Sequence, residues 1–186
     1  KSESVCDYNH FVTKGDDVYS AENFLSKFEI AHNYYAQCYD NQVKESPKHQ
    51  SNVKTARLYI SHFIQGLNLS VLRSEVKPIH KKLYCLPIDN YNVPDLTSEA
   101  AMVEWGKRII EGERKRTSQG GVPIYNPTIA KVKVHYDIFV DSYERQKALQ
   151  VLTNRSLEGL ATMRTRADEL ILDIWNQVEE KFRNIS

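Results

Sequence analysis

Apolar side chains recur every three or four residues through five long stretches of the chain, and this spacing limits what it can fold into more than any other feature. A helix of 3.6 residues per turn gathers such residues on one face, and that face must be buried against another. Phe24, Phe28, Ala31, Tyr35 and Cys38 predict a first helix over 21–45, with Ser20 as its N-cap. Ser46-Pro47 is expected to end it, because proline lacks the N–H that continuation requires and disfavours helical geometry in the residue before it. A second helix over 48–76 carries Val53, Ala56, Ile60, Phe63, Ile64, Leu67, Val71 and Leu72.

Thr97 or Ser98 is expected to cap a third, shorter helix over 98–117, where Ala101, Met102, Trp105 and Ile109 face inward. Asn126-Pro127 predicts the start of a fourth over 127–150, with Ile129, Val132, Tyr136, Phe139, Val140 and Tyr143 on one face. A fifth over 154–183 carries Leu157, Leu160, Ala167, Leu170, Ile171, Ile174, Trp175, Val178 and Phe182. No Gly or Pro marks a turn at 151–154; only the need to fold back and bury both stripes argues for one.

The expected fold is therefore all-α: an antiparallel up-and-down bundle of four long helices plus a shorter fifth. Residues 19–77 and 125–183 share one arrangement of cap, long helix, tight turn and long helix, which suggests two pseudo-repeated hairpins. Residues 1–18 are polar and without period, so they read as a loosely attached arm ahead of a single helical-bundle domain over 19–186. From Pro78 to Leu96 three prolines interleave with Tyr84, Leu86, Ile88, Tyr91 and Val93, a segment too apolar for a free linker and expected to lie against the bundle.

Charge narrows the function classes. With 25 Lys+Arg against 24 Asp+Glu, the chain reads as soluble, and its gross balance makes no case for nucleic acid or a membrane surface. No stretch approaches the apolar run of about 18 residues that a spanning helix needs, so no membrane insertion is expected. Cys6, Cys38 and Cys85 are odd in number and widely spaced, against a disulfide framework or a zinc site. The chain starts at Lys1, as a trimmed or processed form would; the unpaired thiols slightly favour the cytoplasm, and secretion stays open if a signal was removed.

No phosphate-cradling glycine motif, nucleophile elbow or zinc-protease signature is present, and no cofactor is expected. Glu29 and His32 have the Glu-x-x-His spacing that puts both side chains on one helix face, as bundle metal sites require, but the second such pair is missing and His135 has no glutamate before it. These three are the candidates for a metal-binding or enzymatic site between helices. Arg114, Lys115 and Arg116 form a basic run that a polyanion could use, although Glu111 and Glu113 interleave with it. Tyr84, Tyr91 and Tyr125 flank proline turns and suit an aromatic contact surface. The sequence thus favours a protein-interaction or scaffolding module without catalytic activity, binding a protein partner or a second copy of itself, over the metal or enzymatic and polyanion alternatives.

Overall fold

The computed structural model describes residues 15–183, with side chains from residue 21 onward. Among them every regular element is helical: α1 over Gly15–Leu72, a 3₁₀ segment over Pro78–Tyr84, α2 over Glu99–Ser118 and α3 over Ile129–Arg183. Four long helices plus a fifth are therefore replaced by two very long ones and a single helix of 20 residues. The breaks that would define two repeated hairpins are absent. Cys6 and residues 1–14 of the expected arm lie outside the described residues; residues 15–18 belong to α1.

Pro47 lies inside α1. It sits on an exposed face, and Val43, whose carbonyl it leaves without a donor, is exposed too, so water can take up that carbonyl. His49, Val53 and Ala56, buried just beyond the proline on the other side of the helix, pack into the second unit, and that packing outweighs the lost bond. Ser20, expected as a cap, is likewise helical. At the other expected turn α3 runs through, and the buried Thr153 and Ser156 satisfy their hydroxyls by bonding back to the carbonyls of Leu149 and Thr153.

The chain divides into two compact units, one of residues Lys1–Gln42 with Leu149–Ser186, the other of Val43–Ala148. In the first, the less exposed residues of α1 are Ala21, Phe24, Phe28, Ala31, Tyr35, Cys38 and Gln42; those of α3 include Leu149, Thr153, Ser156, Leu160, Met163, Ala167 and Leu170. Both series alternate steps of three and four, the 3.5-residue repeat of a two-helix coiled-coil seam. The sequence stripe from Leu157 to Phe182 proves too wide for one seam: Ile171, Leu172 and Trp175 are exposed outside it.

The second unit holds the core, built from Val53, Ala56, Ile60, Phe63, Ile64 and Leu67 of α1 with Met102 and Ile109 of α2 and Val132 and Phe139 of α3. Ser98 caps α2 by accepting from the Ala101 amide, as expected. α3 begins two residues later than the Asn126-Pro127 signal implies, with Thr128 accepting from the amides of Lys131 and Val132. Two glycines of α2 admit aromatic rings against its backbone. A methyl on Gly106 would stand 2.2 Å from the Tyr136 ring, and one on Gly112 would stand 2.5 Å from the Tyr84 ring.

The proline-rich segment does lie on this core, and it is pinned by side chains. Arg57 donates to the carbonyls of Leu96 and Thr97, Asn68 to that of Tyr91, and the buried Lys81 to that of Asn90. Asn68 is thus buried, with its Nδ2 engaged.

Candidate functional site

The sequence candidates do not converge. Glu29 and His32 are exposed on α1 in the first unit, whereas His135 belongs to the second and stacks on Tyr59 with ring centroids 4.1 Å apart. Among the described residues no group of three or more His, Cys, Asp or Glu side chains is placed to hold a metal ion.

The aromatic and basic candidates split into buried and open sets. Tyr84 is fully buried and donates its hydroxyl to Glu113, while Arg116 Nε donates to the same hydroxyl at 2.7 Å. Arg116 also pairs with Glu113 at 2.9 Å and donates to the Val122 carbonyl, and the Ile124 amide donates to Glu113. Burial, then the Glu113 hydrogen bond and charge, hold the Tyr84 phenol well above its ordinary range. Burial lowers the Arg116 pKa, but Tyr84 and Glu113 outweigh it, so the guanidinium stays charged.

Tyr84 and Arg116 therefore clamp the 119–124 turn onto α2 and are not available to a partner. The basic run retains Arg114 and Lys115 at the surface. Tyr91 is 39% exposed beneath the Lys81 ammonium, and Tyr125 is 88% exposed at the rim of a groove of about 610 Å³.

Sequence reasoning missed a polar inset in the helix pairing of the second unit. His49, almost fully buried, sits with Nδ1 3.0 Å from Ser142 Oγ on α3 and Nε2 3.1 Å from the carboxylate of Glu99, the first residue of α2. Glu99 accepts from Nε2–H. Ser142 has one hydroxyl hydrogen for two neighbours, His49 Nδ1 and the Phe139 carbonyl at 2.9 Å. That single hydrogen can serve only one of the two at a time.

A cleft of about 170 Å³ opens beside these groups, with Lys48, Asp141 and Arg145 at its lining. It also reaches Gln146, whose buried Oε1 finds no hydrogen-bond donor among the described residues. Serine, histidine and carboxylate follow the order of a nucleophile–base–orienter relay. Ser142, however, lies in the interior of α3, where the helix's own backbone N–H groups are spent on helical bonds and cannot supply the amide pair that acyl transfer requires. The signal that could have found this inset was His49, Ser142 and Gln146 interrupting an apolar face at seam spacing.

The first unit carries a different feature. On α3, Ile171, Trp175 and Val178 fall at steps of four and three, with Leu172 alongside. Ile171 is 53% exposed and Trp175 63%, while Val178 is half-buried. These residues repeat the spacing of the seam on an adjoining face. No family model, no curated protein and no solved structure matches the chain.

Proposed function

We propose that the protein is a protein-interaction module and that α3 of the first unit carries its principal docking face. The observation that carries this reading is the open stripe of Ile171, Leu172 and Trp175, with the half-buried Val178 at its edge. Large apolar side chains left open at regular helical spacing are what a second helix packs against, and tryptophan is enriched among residues that dominate interface energy. Each lies on a continuous helix, so docking orders little new chain. A photoreactive residue in place of Trp175, used in the cell of origin, is expected to yield discrete protein adducts, whereas one in place of the exposed Glu158 on the same helix is not. Absence of adducts at Trp175, or equal adducts at both positions, refutes the reading.

The inset at His49 supports a second reading, a small polar ligand held between α1 and α3. Gln146 Oε1 has no donor among the described residues, and cationic and anionic side chains face the same cleft. A ligand bound there raises the melting temperature by mass action. Screening small zwitterions by thermal melting is expected to give an upward shift that Gln146→Leu removes; no shift with any of them at millimolar concentration counts against it.

A further inference from the structure

We infer that the ligand of the cleft beside His49 is a small free amino acid, its carboxylate toward Lys48 and its ammonium toward Asp141, an inference that rests on the second reading above. Two contacts, Glu45 with Arg145 and His49 with Ser142, run in opposite order along α1 and α3, so the two helices are antiparallel here. Lys48 and Asp141 each stand one residue before the His49–Ser142 contact on their own helix. Matching positions on antiparallel helices fall on the same side of the pair, so the two charges flank one cleft from opposite walls. The other charged residues of the lining, Glu45 and Arg145, already pair with each other at 3.8 Å. Lys48 and Asp141 are exposed, and neither has an ion-pair partner among the described residues. Opposite charges on facing walls that do not close on each other suit a molecule carrying both signs a short distance apart.

The interior of the cleft sets which end goes deeper. Gln146 Oε1 is buried there without a donor among the described residues, and an acceptor so placed is costly to leave unmet. An ammonium brings three hydrogens, enough for Asp141 and this oxygen together, whereas a carboxylate brings none. The amine therefore lies inward and the carboxylate outward, where the flexible Lys48 side chain reaches it. Size narrows the class further. A cleft of about 170 Å³ has the volume of roughly six water molecules, which suits an amino acid as small as alanine.

Titration of the isotopically labelled full chain, followed by NMR, tests this with three probes of similar size: alanine carries both charges, ethylamine lacks the carboxylate and propionate lacks the amine. The expected result is a saturable shift of the Asn52 and Gln146 side-chain amide signals by alanine at millimolar concentration, with the other two probes weaker by about tenfold or more. Lys48→Ala is expected to bring alanine down to the level of ethylamine and to leave ethylamine unchanged. Asp141→Ala is expected to bring it down to the level of propionate and to leave propionate unchanged. Both side chains are exposed, so neither change endangers the fold, and circular dichroism checks this. Ethylamine or propionate binding as tightly as alanine overturns the amino-acid assignment but leaves a small polar ligand standing. Alanine binding indifferent to both substitutions overturns the orientation. No shift with alanine overturns the inference, and the reading beneath it falls too if the wider set of zwitterions leaves the melting temperature unchanged.

Discussion

Replacing Arg116 by alanine removes the centre of the clamp that holds the 119–124 turn to α2, and the structure sets the size of the effect. Glu113 is completely buried, and Arg116 is its sole cationic partner among the described residues. After the change the carboxylate keeps the Tyr84 hydroxyl and the Ile124 amide but stands as an uncompensated buried charge, and the Val122 carbonyl loses its donor. Breaking a buried pair from one side costs about 3–5 kcal/mol, a large share of the stability of a domain this size.

The two tryptophans allow that loss to be localised, since Trp105 belongs to the second unit and Trp175 to the first. In a Trp175→Phe background, urea unfolding followed by fluorescence reports on the surroundings of Trp105. Arg116→Ala is expected to lower the unfolding midpoint sharply. Arg73→Ala, which breaks the exposed pair with Glu75, is expected to leave it nearly in place. Equal, small effects from both refute the argument that Glu113 depends on Arg116.

Glycine substitutions should differ in sign by position. Gly112→Ala drives a methyl into the buried Tyr84 ring and to within 2.8 Å of the Leu83 carbonyl, and Gly106→Ala drives one into Tyr136, each costing about 1–3 kcal/mol or more by overpacking. Gly159→Ala meets nothing within 4 Å and should stabilise its helix by up to about 1 kcal/mol, all three read from urea midpoints. Because the folded state raises the Tyr84 pKa, it keeps the phenolic proton after the unfolded chain has lost it at about pH 10. Stability from this group is therefore complete below that pH and is lost as pH rises toward the folded value, and Tyr84→Phe should make unfolding midpoints between pH 9 and 11 fall less steeply. Pro47→Ala should raise the melting temperature, since proline is about 3 kcal/mol worse than alanine inside a helix; no change would mean that α1 gains nothing from continuity there.

The helical class was legible because the three-and-four spacing is physical cause as well as sign: Phe63 and Phe139, placed inward on that basis, are fully buried. The breaks were not legible, because local preference was set against packing that the sequence does not display. Pro47 is a strong local breaker, yet it falls on an exposed face where the missing donor costs little, and the buried His49, Val53 and Ala56 lie on the opposite face. Between Val151 and Asn154 the argument for a turn assumed that both stripes of the chain's last third had to meet each other. Instead one set, with Leu160, Ala167 and Leu170, joins the seam to α1, and the other, with Ile171 and Trp175, stays open. Tyr84 and Arg116 were singled out for their chemistry, and that chemistry is spent internally; what exposed them to misreading is that Gly112, which makes room for the Tyr84 ring, looks in sequence like any helix glycine.

The polar inset makes sense as a register lock. Along two antiparallel helices a uniformly apolar seam tolerates a slip of one heptad, because each apolar residue then meets another of similar size. A slip of seven residues places His49 opposite His135 or Leu149 instead of Ser142, and carries it away from Glu99 at the start of α2 as well. Both nitrogens of a buried imidazole then lose their partners, a penalty on each competing register that leucine at position 49 would not impose. His49 thus gives up apolar contact in the native register to exclude its neighbours, and because Glu99 takes part, the same contacts fix where α2 begins relative to both long helices.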